Sequence, residues 1–380
     1  MKTYKVGFIG MGFIGRVHAY GHLNLPLFFD PLPFRTEIAA VCTSRRETAE
    51  KEAVRLGAAR GVTDFREITE NPEIDIVHIC TPNDRHLEAL LSAMAHGKHI
   101  YCDKPLVKDA AEADKIEAAL GSYSGTAQMT LQNRFFPATL RAKQLVEEGR
   151  LGQILEFRAS YLHSGSSDPK APFKWKLSGS AGGGAIADLG AHIIDLAEHL
   201  AGPIKSLTAL SAIAYPERPA AGEPSRMVKV DAEDTMFVLA RLANGAVGSI
   251  SAGKIATGAE DELKIEIHGS KGALRFDGMA AHYLDFFDAT APASPLGGVS
   301  GWTRIACGQR FDSPGGGFPS PKNAIGWLRG HMQCLYHFLD CVDRGVPAVP
   351  GLAEGIRLQR LLEQIRLSAA DGGWKNTENC

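Results

Sequence analysis

Over the first third of the chain, short apolar runs alternate with longer stretches that repeat their apolar positions every three or four residues. YKVGFI (4–9), EIAAVC (37–42), DIVHIC (75–80), KHIYC (98–102) and TAQMTLQ (126–132) read as strands. RETAEKEAVRLG, NDRHLEALLSAMAHG and DAAEADKIEAALG, lying between them, read as helices. Strands that are apolar nearly throughout, each followed by a helix, predict an α/β domain with a parallel sheet covered on both faces. Ligands of such sheets bind beyond the carboxyl ends of the strands. The candidate chemistry therefore follows Ile9, Cys42, Cys80 and Cys102.

The pattern changes near residue 130. PATLRAKQLVEEG reads as a helix and ILEFRASYLH as a strand, followed by the polar stretch SGSSDPKAPFKWKLSGSAGGG. One helix is predicted over AIADLGAHIIDLAEHLAG. Strand-like runs follow in SLTALSAIAY, DTMFVLARLANGAVGSISAG and LKIEIHGSKGALRF, with ANGAV and GSKGA as hairpin turns. This predicts a second domain of the α+β class on an open, largely antiparallel sheet. Residues 286–322, rich in Gly, Pro and Ser, read as an irregular excursion. Helices at 323–344 and 352–370 close the chain, and packing back on the first domain is expected of them. The domain boundaries that follow are 1–130 and 131–380.

Composition narrows the function classes. The 380 residues are 44% hydrophobic and 22% charged, ordinary for a globular chain with a sizeable core. Lys and Arg total 41 against 43 Asp and Glu, a net charge of -2, so no general field favours nucleic acid or an anionic membrane. No apolar run approaches the ~20 residues that span a bilayer, and MKTYKVGFIGMGFIG lacks the pattern of a secretory leader. Seven cysteines, widely spaced and without a C-x-x-C pair, indicate neither a disulfide framework nor a zinc knuckle. Cys42, Cys80 and Cys102 close apolar runs and read as small buried residues. A cytoplasmic, reducing compartment is expected, and no metal is.

Gly10, Gly12 and Gly15 form G-x-G-x-x-G directly after a strand and at the start of a helix. The first glycine permits the tight turn, the second lets a pyrophosphate approach, and the third packs helix on strand; free amides then face the phosphates beside Phe13 and Ile14. Asp30 lies at the distance where an NAD-specific acid is expected, but LFFDPLPF places it in a loop before the second strand. That strand ends instead in Cys42-Thr43-Ser44-Arg45-Arg46. With no carboxylate there and two guanidiniums, the reading leans to NADP; the competing reading is NAD with Arg45 on the adenine. Thr81-Pro82-Asn83 follows the third of the runs above, with His86 one helical turn on. Asp103-Lys104-Pro105 follows the fourth; Lys104 is expected to project into the crevice, and the competing reading is a solvated turn lysine.

In the second domain Gly182-Gly183-Gly184 precedes a segment carrying Asp188, His192, Asp195 and His199 at helical spacing. Three readings stand open: dipole complementation with bland histidines, a metal set, or a catalytic base with its partner. His199 lies too far along the helix from Asp188 to share one ion with it.

GMGFIG, TPNDRH, DKP and GGGAIADLGAHIID, in this order, resemble the glucose–fructose oxidoreductase/inositol dehydrogenase (Gfo/Idh/MocA) family, across essentially the whole chain. The resemblance implies a Rossmann domain and a second domain whose open sheet often joins subunits into dimers or tetramers. It implies catalytic roles for Lys104, Asp188 and His192, with Thr81, Pro82 and Asn83 on the nicotinamide side. Gln132 joins the cofactor set, and Asn133 and His163 match substrate-contacting positions. Trp175-Lys176 is similar to an aromatic–basic pair of sugar-acting members. Asp103 departs from the family's usual Glu. The implied activity is hydride transfer between NAD(P) and a secondary alcohol of a cyclic polyol, sugar or sugar derivative. A cofactor-retaining glycosidase of this fold and a non-catalytic sugar- or dinucleotide-sensing regulator are the alternatives.

Overall fold

The alternating pattern resolves, in a computed structural model that describes every residue but Asn379, into β1 (Lys2–Ile9), α1 (Phe13–Phe28), β2 (Phe34–Cys42), α2 (Arg46–Leu56), β3 (Arg60–Val62), α3 (Arg66–Thr69), β4 (Ile76–Ile79), α4 (His86–Ala95), β5 (His99–Cys102), α5 (Ala110–Leu120) and β6 (Ala127–Met129). The six strands make one sheet in the order β3-β2-β1-β4-β5-β6, with every pairing parallel. The strand order reverses between β1 and β4, which is where such sheets open a crevice for a ligand. Strand β3 left no readable signal because it is a three-residue edge segment with one buried side chain. Strand β6 is shorter than the run at 126–132: the Leu131 N–H turns back to the Met129 carbonyl, and Gln132–Phe135 coil into a 3-10 turn.

The following stretch carries α6 (Pro137–Glu147), β7 (Ile154–Leu162), a wide π-turn at Ile186–Gly190, and α7 (Ala191–Ala201). Strands β8 (Ile204–Ala212), β9 (Glu217–Ala220), β10 (Glu223–Lys229), β11 (Thr235–Leu242), β12 (Val247–Gly253), β13 (Glu262–Gly269), β14 (Gly272–Asp277), β15 (Tyr283–Asp288) and β16 (Trp302–Ala306) come next. The chain closes with α8 (Trp327–Arg344), α9 (Leu352–Asp371) and β17 (Lys375–Asn376). A nine-stranded sheet runs β16-β15-β14-β13-β7-β12-β11-β8-β17, and β7–β12 is its one parallel pair among the described residues. Both predicted turns join hairpins, β11–β12 and β13–β14.

Three local expectations need correction. The stretch at 286–322 is not wholly irregular: β16 pairs with β15, Trp302 lies on Phe287 and Arg304 on Asp285. The polar segments ERPA and EPSRMVK form the separate β9–β10 hairpin, for which no apolar alternation spoke. The single helix over 185–202 begins with the π-turn.

By internal contacts the chain forms two units, Met1–Phe135 with Phe311–Pro321 and Gly326–Gln359, and Phe136–Arg310 with Lys322–Ile325 and Arg360–Cys380. In the first, Val6, Phe8, Ile76 and Tyr101 of the sheet share a core with Met332, Leu335 and Phe338 of α8. In the second, β11 alternates cleanly: Met236, Val238 and Ala240 are buried, while Phe237 and Leu239 are 57% exposed.

Candidate active site

The phosphate loop is shaped by glycines at each point where a side chain would collide. Gly10 has φ +94, and a Cβ there would lie 2.6 Å from the Cys80 carbonyl oxygen. A Cβ on Gly15 would lie 2.4 Å from the Gly10 oxygen, so this residue lets α1 approach β1. Gly12 differs, because its Cβ would meet nothing within 4 Å. Gly12 is also the N-cap of α1, which has no side-chain cap and no acid in its first turn. Open space before uncapped helix amides fits a pyrophosphate. Phe13 is exposed and leans on Trp327, and Ile14 is half-buried.

The neighbouring loops are tied together by main-chain bonds: Gly10 N–H to Cys42 O, Cys80 N–H to Ile9 O, and Asp103 N–H to Ile79 O. Lys104 thus leaves the end of β5 on a braced turn, joined to Pro105 by a cis peptide. Thr43 Oγ1 donates to the Arg45 carbonyl at 2.9 Å, and Arg46 is engaged by Gly61 O at 3.1 Å. Of the β2-end residues offered for the ribose, Ser44 and Arg45 remain exposed; Asp30 sits before β2 at the other end of that strand. His86 is a correction. It is fully buried with its ring nitrogens at 2.9 Å from Thr81 O and 3.1 Å from Leu106 O, so it fastens the Thr81-Pro82-Asn83 loop and offers nothing to a cofactor.

Three named residues bear on the fit of a polar ligand. Thr81 Oγ1, Gln132 Oε1 and Asn133 Nδ2 are buried without a hydrogen-bond partner in the protein. Buried polar atoms left that way are costly, and a ligand with hydroxyls or an amide would satisfy them. All three follow carboxyl ends of the parallel sheet, with the glycine loop. The residues present fit NAD(P).

In the second unit the glycine run has its own steric reasons. A Cβ on Gly184, at φ +103, would lie 2.1 Å from Glu233 Oε1. That carboxylate accepts the Ile186 N–H at 2.9 Å and so holds the start of the π-turn. Burial raises its pKa. The π-turn carries Asp188, which lies between two lysines: Lys176 Nζ at 2.8 Å from Oδ1 and Lys254 Nζ at 3.6 Å from Oδ2. Lys254 is 7% exposed, and burial lowers its pKa while Asp188 raises it. Segments of π-helix recur at functional sites because they turn a side chain out of helical register.

His192 is buried at the start of α7, and its ring meets Tyr161 edge to face at 5.9 Å. Asp261 accepts from Tyr161 Oη at 2.6 Å and lies 2.7 Å from His163 Nε2. Trp175 opens a 3-10 turn, with Lys176 Nζ 5.9 Å from its ring centre. Sequence reasoning missed Lys254, Glu233 and Asp261. Each lies at or beside a strand end with no motif around it, Glu233 next to Asp234 and Asp261 between Glu260 and Glu262; the faint signal was a lysine closing β12. Asp195 and His199 lie on α7 with His192, and Lys143 Nζ donates to the His199 carbonyl.

Comparison with known proteins agrees with the fold of both parts. A family model described as an oxidoreductase family with an NAD-binding Rossmann fold matches residues 4–130, and one described as the GFO/IDH/MocA C-terminal domain matches residues 139–275. Levoglucosan dehydrogenase of Pseudarthrobacter phenanthrenivorans is 31% identical, over 98% of this chain and 98% of that protein. Myo-inositol 2-dehydrogenase of Thermotoga maritima is 26% identical over 72% of this chain and 75% of its own. A solved levoglucosan dehydrogenase in complex with NADH and L-sorbose superposes with a TM-score of 0.94, covering 99% of each chain.

Proposed function

We propose, from the premise that the chain belongs to the Gfo/Idh/MocA oxidoreductase family, that its substrate is a secondary alcohol of a cyclic polyol, sugar or sugar derivative. It is an NAD(P)-dependent oxidoreductase. The observation that carries the substrate class is the buried Asn133 Nδ2, which has no hydrogen-bond partner in the protein, Thr81 and Gln132 being assigned to the cofactor. Such a donor suits a hydroxyl and repels a hydrocarbon. The relatives named for levoglucosan and myo-inositol, and the one solved with L-sorbose, support the same class.

When bound, the nicotinamide accepts or returns the hydride. The protein handles the proton and the charge. Lys104 donates a hydrogen bond to the reacting oxygen and favours its alkoxide character. His192 takes the hydroxyl proton, and Tyr161 holds the imidazole by packing against its edge. Asp188, paired with Lys176 and Lys254, stabilises the imidazolium. Asn133, His163 and Trp175 bind the ring, the indole against its C–H face.

Arg45 makes NADP the preferred cofactor, because it is exposed at the end of β2 and that strand ends without a carboxylate. The outer face of the nine-stranded sheet supports a homodimer or homotetramer. There Phe237 lies opposite Leu210 in the β8–β11 register, with Leu239 two residues on, and all three are more than half exposed. Seven free cysteines, six of them buried, support a reducing, cytoplasmic setting, and no helix of the described residues is long and apolar enough to cross a membrane. A panel of polyols, sugars and anhydrosugars, read by nicotinamide absorbance with each cofactor, tests the function. Sustained turnover of added cofactor is expected. Glycoside cleavage without net reduction would favour the glycosidase instead, and binding without turnover the regulator.

A further inference from the structure

Beneath the dinucleotide loop lies a cluster that the proposed reaction does not use. His18 of α1, His78 of β4 and Cys80 are 2%, 0% and 6% exposed. His18 Nδ1 is 3.2 Å from His78 Nδ1 and 3.2 Å from Cys80 Sγ, and all three atoms lie within 4.8 Å of one another. Donors bound to one ion by bonds of about 2.0–2.3 Å sit roughly 3.3–3.9 Å apart. The two 3.2 Å separations lie just short of that range, and the third pair, within 4.8 Å, closes as the ion draws its donors together.

Hydrogen bonding alone leaves one group over. A relay from Thr36 through His22 and His78 to His18 satisfies the ring nitrogens, but the Cys80 thiol then meets a His18 Nδ1 lone pair already taken. Thr130 Oγ1 donates to the Cys102 carbonyl at 3.1 Å, which leaves it to accept from His18 Nε2 at 3.5 Å. With its proton on Nε2, His18 turns a single Nδ1 lone pair toward both His78 and the Cys80 thiol. One lone pair does not accept two good hydrogen bonds. A cation at the centre gives all three donors a use. The outer contacts then fall into place as supports that fix each tautomer: His78 Nε2–H donates to His22 Nε2 at 2.9 Å, and His22 Nδ1–H to Thr36 Oγ1 at 3.0 Å.

We propose that His18 Nδ1, His78 Nδ1 and Cys80 Sγ form a buried site for a monovalent thiophilic cation, Cu(I). Charge decides between it and zinc. Cu(I) displaces the thiol proton, which leaves to solvent, and forms a Cu–S bond; the resulting site is neutral. Zn(II) with one thiolate would bury a net positive charge and lack its usual fourth ligand. A soft thiolate with two imidazoles suits Cu(I). The Cys80 carbonyl abuts Gly10, so the ion would brace the floor of the phosphate loop.

The test is expression with copper supplementation, anaerobic purification, and metal analysis of the intact chain beside Cys80→Ser and His78→Asn. About one more copper per chain in the unsubstituted protein is expected, with a copper-dependent rise in Tm that both variants lose. X-ray absorption of the unsubstituted protein needs no variant to fold, and a shell containing imidazole together with sulfur is expected. Equal copper in the protein and Cys80→Ser, a sulfur-only shell, or zinc in place of copper would each overturn the assignment.

Discussion

Asp188→Asn is the sharpest test of the charge cluster in the second unit. The substitution keeps the shape and deletes the carboxylate that faces Lys254 at 3.6 Å. At an effective dielectric of about 20, that separation corresponds to roughly 4–5 kcal/mol of attraction. Part of it is recovered, because Glu233 and Asp234 also attract the Lys254 ammonium. Lys176 then repels it without a carboxylate between them, but that lysine is half exposed and screened. A net loss of about 2–3 kcal/mol follows, near the lower end for leaving a buried charge unpaired. For a chain of this length that is roughly 3 °C in Tm. The sign with pH is fixed as well. Burial lowers the folded-state pKa of Lys254 below 10.5. Between the two values the unfolded chain holds more protons than the folded one, so stability from this group rises with pH. Above the folded pKa the ammonium is gone, and Asp188 has little left to attract. The deficit in Asp188→Asn should therefore be largest near neutral pH and shrink as pH rises toward 10.5. Differential scanning calorimetry of both proteins across that range measures it. A deficit that grows with pH, or a Tm unchanged at neutral pH, would refute the assignment of Lys254 as a buried cation held by Asp188.

Lys104→Ala and His192→Ala should each lower kcat/KM by about 10²–10⁴-fold with cofactor affinity retained, measured by steady-state kinetics and calorimetry. Near-normal turnover in either removes that residue from the mechanism. Arg45→Ala should weaken NADP binding about 10- to 150-fold and NAD binding little; tighter binding of NAD than NADP by the unsubstituted chain would count against the arginine's role. Phe237→Glu, placed opposite Leu210, should shift the mass seen by light scattering toward the monomer, and an unsubstituted protein that is already monomeric refutes the sheet-face interface.

How much of this was legible in the chain depends on how the information is carried. The parallel sheet could be read because strands buried on both faces, β4 among them, leave unbroken apolar runs that helices then separate. The glycines at 10 and 15 could be read because each meets a local backbone constraint, and Gly12 because open space before the α1 amides recurs at that spacing; local constraints leave motifs. Lys104 followed from standing at the end of such a strand. The second unit's site was only half visible. Asp188 and His192 lie four residues apart and announce themselves, but the π-turn between Ile186 and Gly190 depends on Glu233, forty-five residues beyond Asp188 on the approach to β11. Lys254, at the end of β12, reaches the same carboxylate from farther still. No window along the sequence holds all four. The sheet brings them together only through the alignment of β11 against β12, whose register pairs Thr235 with Gly253, the neighbours of Asp234 and Lys254. The same reasoning applies to His18, His78 and Cys80, which have no metal-binding spacing and meet only because α1 packs on β4. Hairpin register and helix–sheet packing thus assemble the charges that tune the site, and those long-range pairings are what a linear reading of residue types does not contain.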